Sequence, residues 1–175
     1  MVMDFKTLYE ADMARYGGKA DKGLRRFHRL LRKEQTAKNK LLRLWYHWRY
    51  KCVRDKYLIE IFAPTKIGKG LYIGHPCGIS LNVKAVIGEN VNIHKGVTIG
   101  QENRGKRKGA PTIGNRVWIG INATVVGNIT IGDDVLIAPN TYVNCDVPAH
   151  SIVFGNPCII KSRENATEGY INHTV

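Results

Sequence analysis

No stretch of this sequence approaches the roughly 18–20 continuous apolar residues of a membrane-spanning helix, so no helical span is expected. The opening MVMDFKTLYEADMARYGG carries acids early and lacks a long apolar segment, which argues against a secretory signal. Cysteine is sparse. The four present (Cys52, Cys77, Cys145 and Cys158) form neither a CxxC pair nor a Cys/His finger, which favours reduced thiols in a cytoplasmic protein over disulfides or structural zinc. Acids are scarce as well, 14 against 27 Lys and Arg, for a formal charge of +13. That surplus is uneven: residues 1–57 hold 16 Lys/Arg against 6 Asp/Glu, and the remaining 118 hold 11 against 8. A basic N-terminal face could dock on an anionic membrane surface, an acidic glycan or a nucleic acid, or simply be a solvated helix face. No nucleic-acid motif accompanies the charge, so no nucleic-acid partner is expected.

What is present falls into two regions of different period. From Asp4 to about Tyr57 the pattern is helical, with Leu41, Leu44, Trp45, Trp48 and Cys52 recurring at spacings of three and four. Two or three helices are expected there, with this apolar stripe as core and subunit contact. From Ile59 the period becomes six. Ile61, Ile67, Ile73 and Ile79 form one phase; Leu81, Ile87, Ile93 and Ile99 form a second, shifted by two. Ile113, Ile119, Val125, Ile131, Ile137 and Val143 form a third, shifted by two again. Neither the 3.6 residues of a helix nor the 2 of a plain strand gives a strict six. A hexapeptide repeat does, and it marks a parallel β-helix. Each unit points one aliphatic residue into a three-sided prism, and three units close a coil. Residues 59–148 supply about five coils. Gly follows the aliphatic residue at 68, 74, 88, 100, 114, 120 and 132, where free access to positive φ would ease a corner.

The phase slips at His75–Gly78 and within QENRGKRKGAP (residues 101–111) are extra residues that must bulge from the coil. A regular lattice retains such bulges mainly where function sits. His75 is therefore the leading candidate for chemistry. His94, following the inward Ile93, should face outward and is the rival base. His28, His47, His150 and His173 show no partner pattern. Cys77 beside His75 could be a nucleophile only through a covalent acyl-enzyme. Cys145 and Cys158 read as small buried fillers.

The segments IEIFAPTKIGKGLYIGHPCGI, VTIGQENRGKRKGAPTIG and IVFGNPCIIK resemble the serine acetyltransferase branch of the left-handed β-helix acyltransferases, which use acetyl-CoA; INHT at 171–174 resembles that family's C-terminal region. The resemblance implies a mainly β fold in three parts. Residues 1–57 are a basic helical segment, 58–161 a left-handed parallel β-helix, and 162–175 a tail. It makes His75 the catalytic base and Glu60, fifteen residues earlier, its acidic partner. A carboxylate on the second ring nitrogen would fix the tautomer and stabilise the imidazolium. It places the acetyl-CoA thread along Gly120 and Ile121, one coil below Ala138 and Pro139, with Lys161 as a partner for the CoA phosphates. Ile121 and Pro139 depart from the small residues the family has there. Arg104, Lys106, Arg107 and Lys108 could meet phosphate or an acidic acceptor.

Other departures concern the acceptor. Gly74 stands where the serine enzymes have an Asp, and Gly109–Ala110 where they have an Arg-His pair; those charges grip serine in the family. The sequence thus predicts an acetyl-CoA-dependent O-acetyltransferase acting through a ternary complex, its acceptor a sugar hydroxyl of a surface or exopolysaccharide unit. The alternative is L-serine, feeding cysteine synthesis. No metal cofactor is expected: a γ-type carbonic anhydrase would need three His ligands, and neither His75 nor His94 has others nearby. A third class is a non-catalytic scaffold. The short helical segment makes a homotrimer the expected assembly.

Overall fold

The structure, a computed structural model, describes residues 3–175. Three helices open the chain: α1 (Phe5–Ala14), α2 (Lys22–Thr36) and α3 (Lys40–Tyr57). Each begins at a side-chain cap. Asp4 accepts from Thr7 N–H, Asp21 from Leu24 N–H, and Asn39 from the N–H groups of Leu41 and Leu42, which satisfies otherwise orphaned donors of the first turn. Phe27, Leu31 and Tyr50 are buried between α2 and α3. The stripe expected as core and subunit contact is not core within the single chain: Leu41 is 78% and Trp48 66% exposed, because α3 turns Tyr50 and Val53 toward α2 and the stripe away from it.

The remainder is a parallel β-helix with three faces. One face stacks β1 (Lys66–Ile67), β4 (Val86–Ile87), β7 (Thr112–Ile113) and β10 (Thr130–Ile131). The second stacks β2 (Tyr72–Gly74), β5 (Asn92–His94), β8 (Trp118–Ile119), β11 (Val135–Ile137) and β13 (Ser151–Phe154), and closes with the antiparallel β14 (Ile159–Ser162). The third stacks β3 (Ser80–Leu81), β6 (Thr98–Gly100), β9 (Thr124–Val126) and β12 (Tyr142–Val143). Four coils are complete, with partial turns at Glu60 and Val147. The hexad aliphatics Ile73, Ile93, Ile119 and Ile137 stack in register and are buried.

Register locates both slips. Lys66 pairs with Val86 and Tyr72 with Asn92, twenty residues on, whereas Ser80 pairs with Thr98, eighteen on. Two extra residues therefore lie between Gly74 and Ser80. Thr98 pairs with Thr124, twenty-six on, so eight more lie between Gly100 and Thr112. The hexad glycines serve a purpose other than the one expected. None of Gly68, Gly88, Gly114 and Gly132 has positive φ; that conformation falls two residues later, at Gly70, Asn90, Arg116 and Asp134. A Cβ at Gly68 would lie 2.6 Å from the Gly88 carbonyl oxygen, and one at Gly132 would meet the Ala149 backbone equally closely. Glycine there lets successive coils touch backbone to backbone.

A solenoid leaves the outer edge of its first coil without a partner strand, and buried backbone groups must be satisfied. Here α1 and α2 satisfy them. Asp12, fully buried, accepts from Leu71 N–H at 2.9 Å and from Arg32 Nε and Nη2 at 2.8 and 2.9 Å. Arg32 donates to the carbonyls of Ile67 and Gly68, and Arg15 to that of Gly70. Ile73 N–H donates to the Tyr16 hydroxyl, which lies 2.9 Å from His28 Nε2, and His28 Nδ1 lies 3.1 Å from the Asp12 carboxylate. Burial alone would raise the Asp12 pKa, but the His28 hydrogen bond and the Arg32 charge outweigh it and hold the carboxyl below its usual range. Asp12→Ala leaves Arg32 as an uncompensated buried charge, so urea denaturation should show a loss of about 3–5 kcal/mol. A loss below about 1 kcal/mol, the scale of an exposed ion pair, would mean the cap is dispensable.

Candidate active site

His75 stands at the corner between the second and third faces, where the two-residue insertion throws the chain outward. Its φ is +53°, and its side chain is exposed. The same left-handed conformation recurs at other corners of the coil, at Asn90, Arg116, Asn122, Asp134 and Asn140. The imidazole lines a cavity of about 470 Å³ together with Arg15, Tyr16, Lys19, Tyr72, Asn92, His94 and Trp118. Tyr170, Asn172 and His173 of the tail form its outer wall. Asn92 Nδ2 donates to the Tyr170 carbonyl and Arg15 Nε to that of Asn172, so the wall is anchored to the first two coils and the helical cap. Among the described residues no Asp or Glu lines this cavity.

His94 lies one coil from Gly74 and does turn off the prism, but into this same cavity. Its ring centroid is 6.3 Å from that of His75 and 4.8 Å from that of Trp118. A Cβ at position 74 would lie within 2.5 Å of the His94 ring. The imidazole thus fills the space a side chain at 74 would need. Nε2 of His94 is buried without a partner. Desolvation, then repulsion from His75, pushes the His94 pKa down to about 4, so the ring is neutral near pH 7 and a weak base.

Glu60 makes no hydrogen bond or ion pair with His75. Its backbone bridges to Ser80, and its carboxylate accepts from the Ser80 hydroxyl at 2.7 Å. The insertion that projects His75 also moves the pairing partner of Glu60 to position 80, and the Glu60 carboxylate opens onto a different hollow. Among the described residues the His75 ring has no hydrogen-bond partner within the chain. Three histidines without a partner pattern in the sequence have partners in the fold. His28 meets Asp12 and Tyr16, His47 meets Glu34, and His150 meets Asp134. Cys145 and Cys158 are half-buried, their sulfurs 3.8 Å apart. Among the described residues no cluster of three or more His, Cys, Asp or Glu is arranged to hold a metal ion.

Gly120 and Ile121 lie one coil below Ala138 and Pro139, as the repeat requires: Asn140 N–H donates to the Ile121 carbonyl, and a Cβ on Gly120 would lie 2.7 Å from Pro139 N. Register puts Gly74, His94, Gly120 and Ala138 in one column, so these residues and His75 share a corner of the prism. The column spans three strand spacings, about 14 Å. Lys161, on β14 opposite Ile152, is exposed with its ammonium over the Phe154 ring. The 101–111 loop, a hairpin closed by Glu102 and Gly109, leaves a different corner, between the third and first faces; Arg104, Lys106, Arg107 and Lys108 do not line the His75 cavity. A larger cavity, about 540 Å³, is walled by Phe62, Leu81, Val83 and Ile99. It is mainly apolar and lacks His75.

Sequence reasoning missed Arg15, Tyr16, Asn92, Trp118 and Tyr170. Tyr72, Asn92 and Trp118 form a column of outward side chains, each one residue before an inward Ile. Aligning the coils by their true registers of twenty and twenty-six would have revealed it.

The description "Bacterial transferase hexapeptide (six repeats)" matches residues 110–145. A serine acetyltransferase of Helicobacter pylori is 44% identical over 98 residues, which are 56% of this chain and 57% of that protein. The chain thus spans just over half the length of this curated relative. A solved structure of Neisseria gonorrhoeae serine acetyltransferase in complex with serine has a TM-score of 0.70 at 28% identity, covering 90% of this chain and 69% of that one. The Brucella abortus enzyme in complex with coenzyme A shares the fold, with a TM-score of 0.73 at 23% identity, over 91% of this chain and 66% of that one. The chain thus shares its fold, a left-handed parallel β-helix of hexapeptide repeats, with serine acetyltransferases, to which it is similar over just over half its length.

Two outcomes follow from the packing of Gly74 on His94. The folded ring takes up its proton only near 4, the unfolded one near 6.5. The unfolded chain therefore binds more protons between those values, and stability must fall as pH is lowered through that window. His94→Phe should flatten the pH dependence of the urea midpoint there; an unchanged slope would assign the titration elsewhere. Gly74→Asp alone must displace the ring and should destabilise by about 1–3 kcal/mol, whereas Gly74→Asp with His94→Ala should recover most of that loss in a double-mutant cycle.

Proposed function

We propose that this protein transfers acetyl from acetyl-CoA to a hydroxyl, with His75 as general base. The observation that carries this is a histidine projecting, in left-handed conformation, from a lattice slip into a cavity, on the corner that also bears Gly120, Ile121, Ala138 and Pro139. Imidazole removes the hydroxyl proton as its oxygen attacks the thioester carbonyl. The C–O bond forms, the C–S bond breaks, and the imidazolium returns the proton to the departing thiolate. No acyl-enzyme is needed, and Cys77 takes no part. Glu60, held by Ser80 here, would need to exchange that partner to orient His75. The small residues of the corner accommodate the pantetheine arm of acetyl-CoA, and Lys161 meets its phosphates.

The names of the relatives support L-serine as acceptor better than the glycan hydroxyl put first from the sequence. One observation keeps the sugar reading in view. Among the described residues the cavity holds no carboxylate and so no counter-charge for an ammonium, and its Tyr72, Trp118 and Tyr170 present aromatic faces. A side-by-side homotrimer suits both readings, because it could bring the basic 101–111 loop of one copy toward the His75 corner of the next. The cytoplasm, where acetyl-CoA is available, is the location this reading implies.

His75→Ala should lower kcat by about 10²–10⁴-fold with little change in the KM for acetyl-CoA, measured by release of free thiol; undiminished turnover would remove His75 from the mechanism. The same assay run with serine and with a panel of sugars separates the acceptors. Turnover with serine alone retires the sugar, and turnover with sugars alone retires serine.

A further inference from the structure

The helices carry a surface that the proposed reaction does not use. Between α2 and α3 runs a groove lined by Lys22, Arg25, Arg26, Arg29, Lys33 and Arg49, with Trp45 and Tyr46 and, among the described residues, no acid. Alongside it lies the outward ridge of α3, where Leu41, Leu44, Trp45 and Trp48 are between 49% and 78% exposed. Trp45 belongs to both, and Arg49 stacks on its ring at 4.9 Å. Cations and large apolar groups are thus interleaved on one face. No helix is long and apolar enough to cross a membrane.

We infer that this face docks on an anionic lipid surface, with α3 lying in the interfacial plane. Leu and Trp side chains would sit at the boundary between headgroups and acyl chains, and the groove would hold anionic headgroups. Charge complementarity selects this occupant. A second copy laid on the same face would set six cations against six, with no acid in the groove to neutralise them. A nucleic acid would use the cations and leave the Leu and Trp ridge in water. The inference is independent of the acetyl-transfer reading, since none of these residues lines the His75 cavity.

The test is co-sedimentation of the full chain with vesicles of phosphatidylcholine alone or doped with phosphatidylglycerol. Binding should require the anionic lipid and fall steeply with salt. Lys22→Gln and Arg26→Gln, both exposed and outside the cap network, should each weaken it about fivefold. Trp48→Ala should weaken it as well while leaving salt dependence unchanged. Absence of vesicle binding overturns the proposal, and a drop in oligomeric state on Trp48→Glu would then assign the ridge to a second copy. Retention on RNA that is indifferent to Trp48→Ala, with no preference for anionic vesicles, also overturns it.

Discussion

The buried contact of Asp12 with Arg32 is what allows a β-helix to begin. Each interior coil is satisfied by the coils above and below it, but the first has backbone groups with no strand to meet. Two fully buried charges are a costly answer in general, since desolvation can exceed their mutual attraction. The balance changes here because both charges also bond main-chain groups of the first coil, at Leu71, Ile67 and Gly68. Hydrogen bonds to charged groups contribute about 1.5–3 kcal/mol each. The pair is therefore joined to the fold on several sides. The same network reaches the site, because Tyr16 fixes Ile73, two residues before His75.

The repeat and its interruptions were legible in the sequence because the prism admits one inward aliphatic per six residues, and a bulge leaves its mark as a change of phase. The slip that carries His75 was legible for the same reason. What spacing could not convey was the consequence of a bulge for the next coil. On a coil of eighteen Glu60 would pair with residue 78; the actual step of twenty sets its backbone against Ser80, from whose hydroxyl its carboxylate accepts a hydrogen bond. The hexad glycines were visible, but their cause was not, since a missing Cβ looks the same whether it permits positive φ or close stacking. The cap was hidden altogether. Asp12, His28 and Arg32 sit in a segment crowded with charge, and nothing in their spacing separates three buried groups from their solvated neighbours.

The site also shows how one position can change the meaning of another. With no side chain at 74, the ring of His94 occupies that volume, packs at a tilt beside Trp118 and, desolvated, has its pKa pushed down to about 4. A cavity walled by a neutral imidazole, aromatic rings and two cations has a different electrostatic character from one with a carboxylate at its centre.

The last strand deserves equal weight with the first. β14 runs antiparallel to β13, and Lys161 and Arg163 stand on or beside it. A parallel coil arriving from another molecule would find the wrong polarity and a line of charge at this end, and helices at the other. With both termini of the ladder closed, the solenoid cannot template its own extension. Removing either closure would do more than soften the protein: it would open a route to end-to-end fibres, which a lattice this regular is otherwise well suited to form.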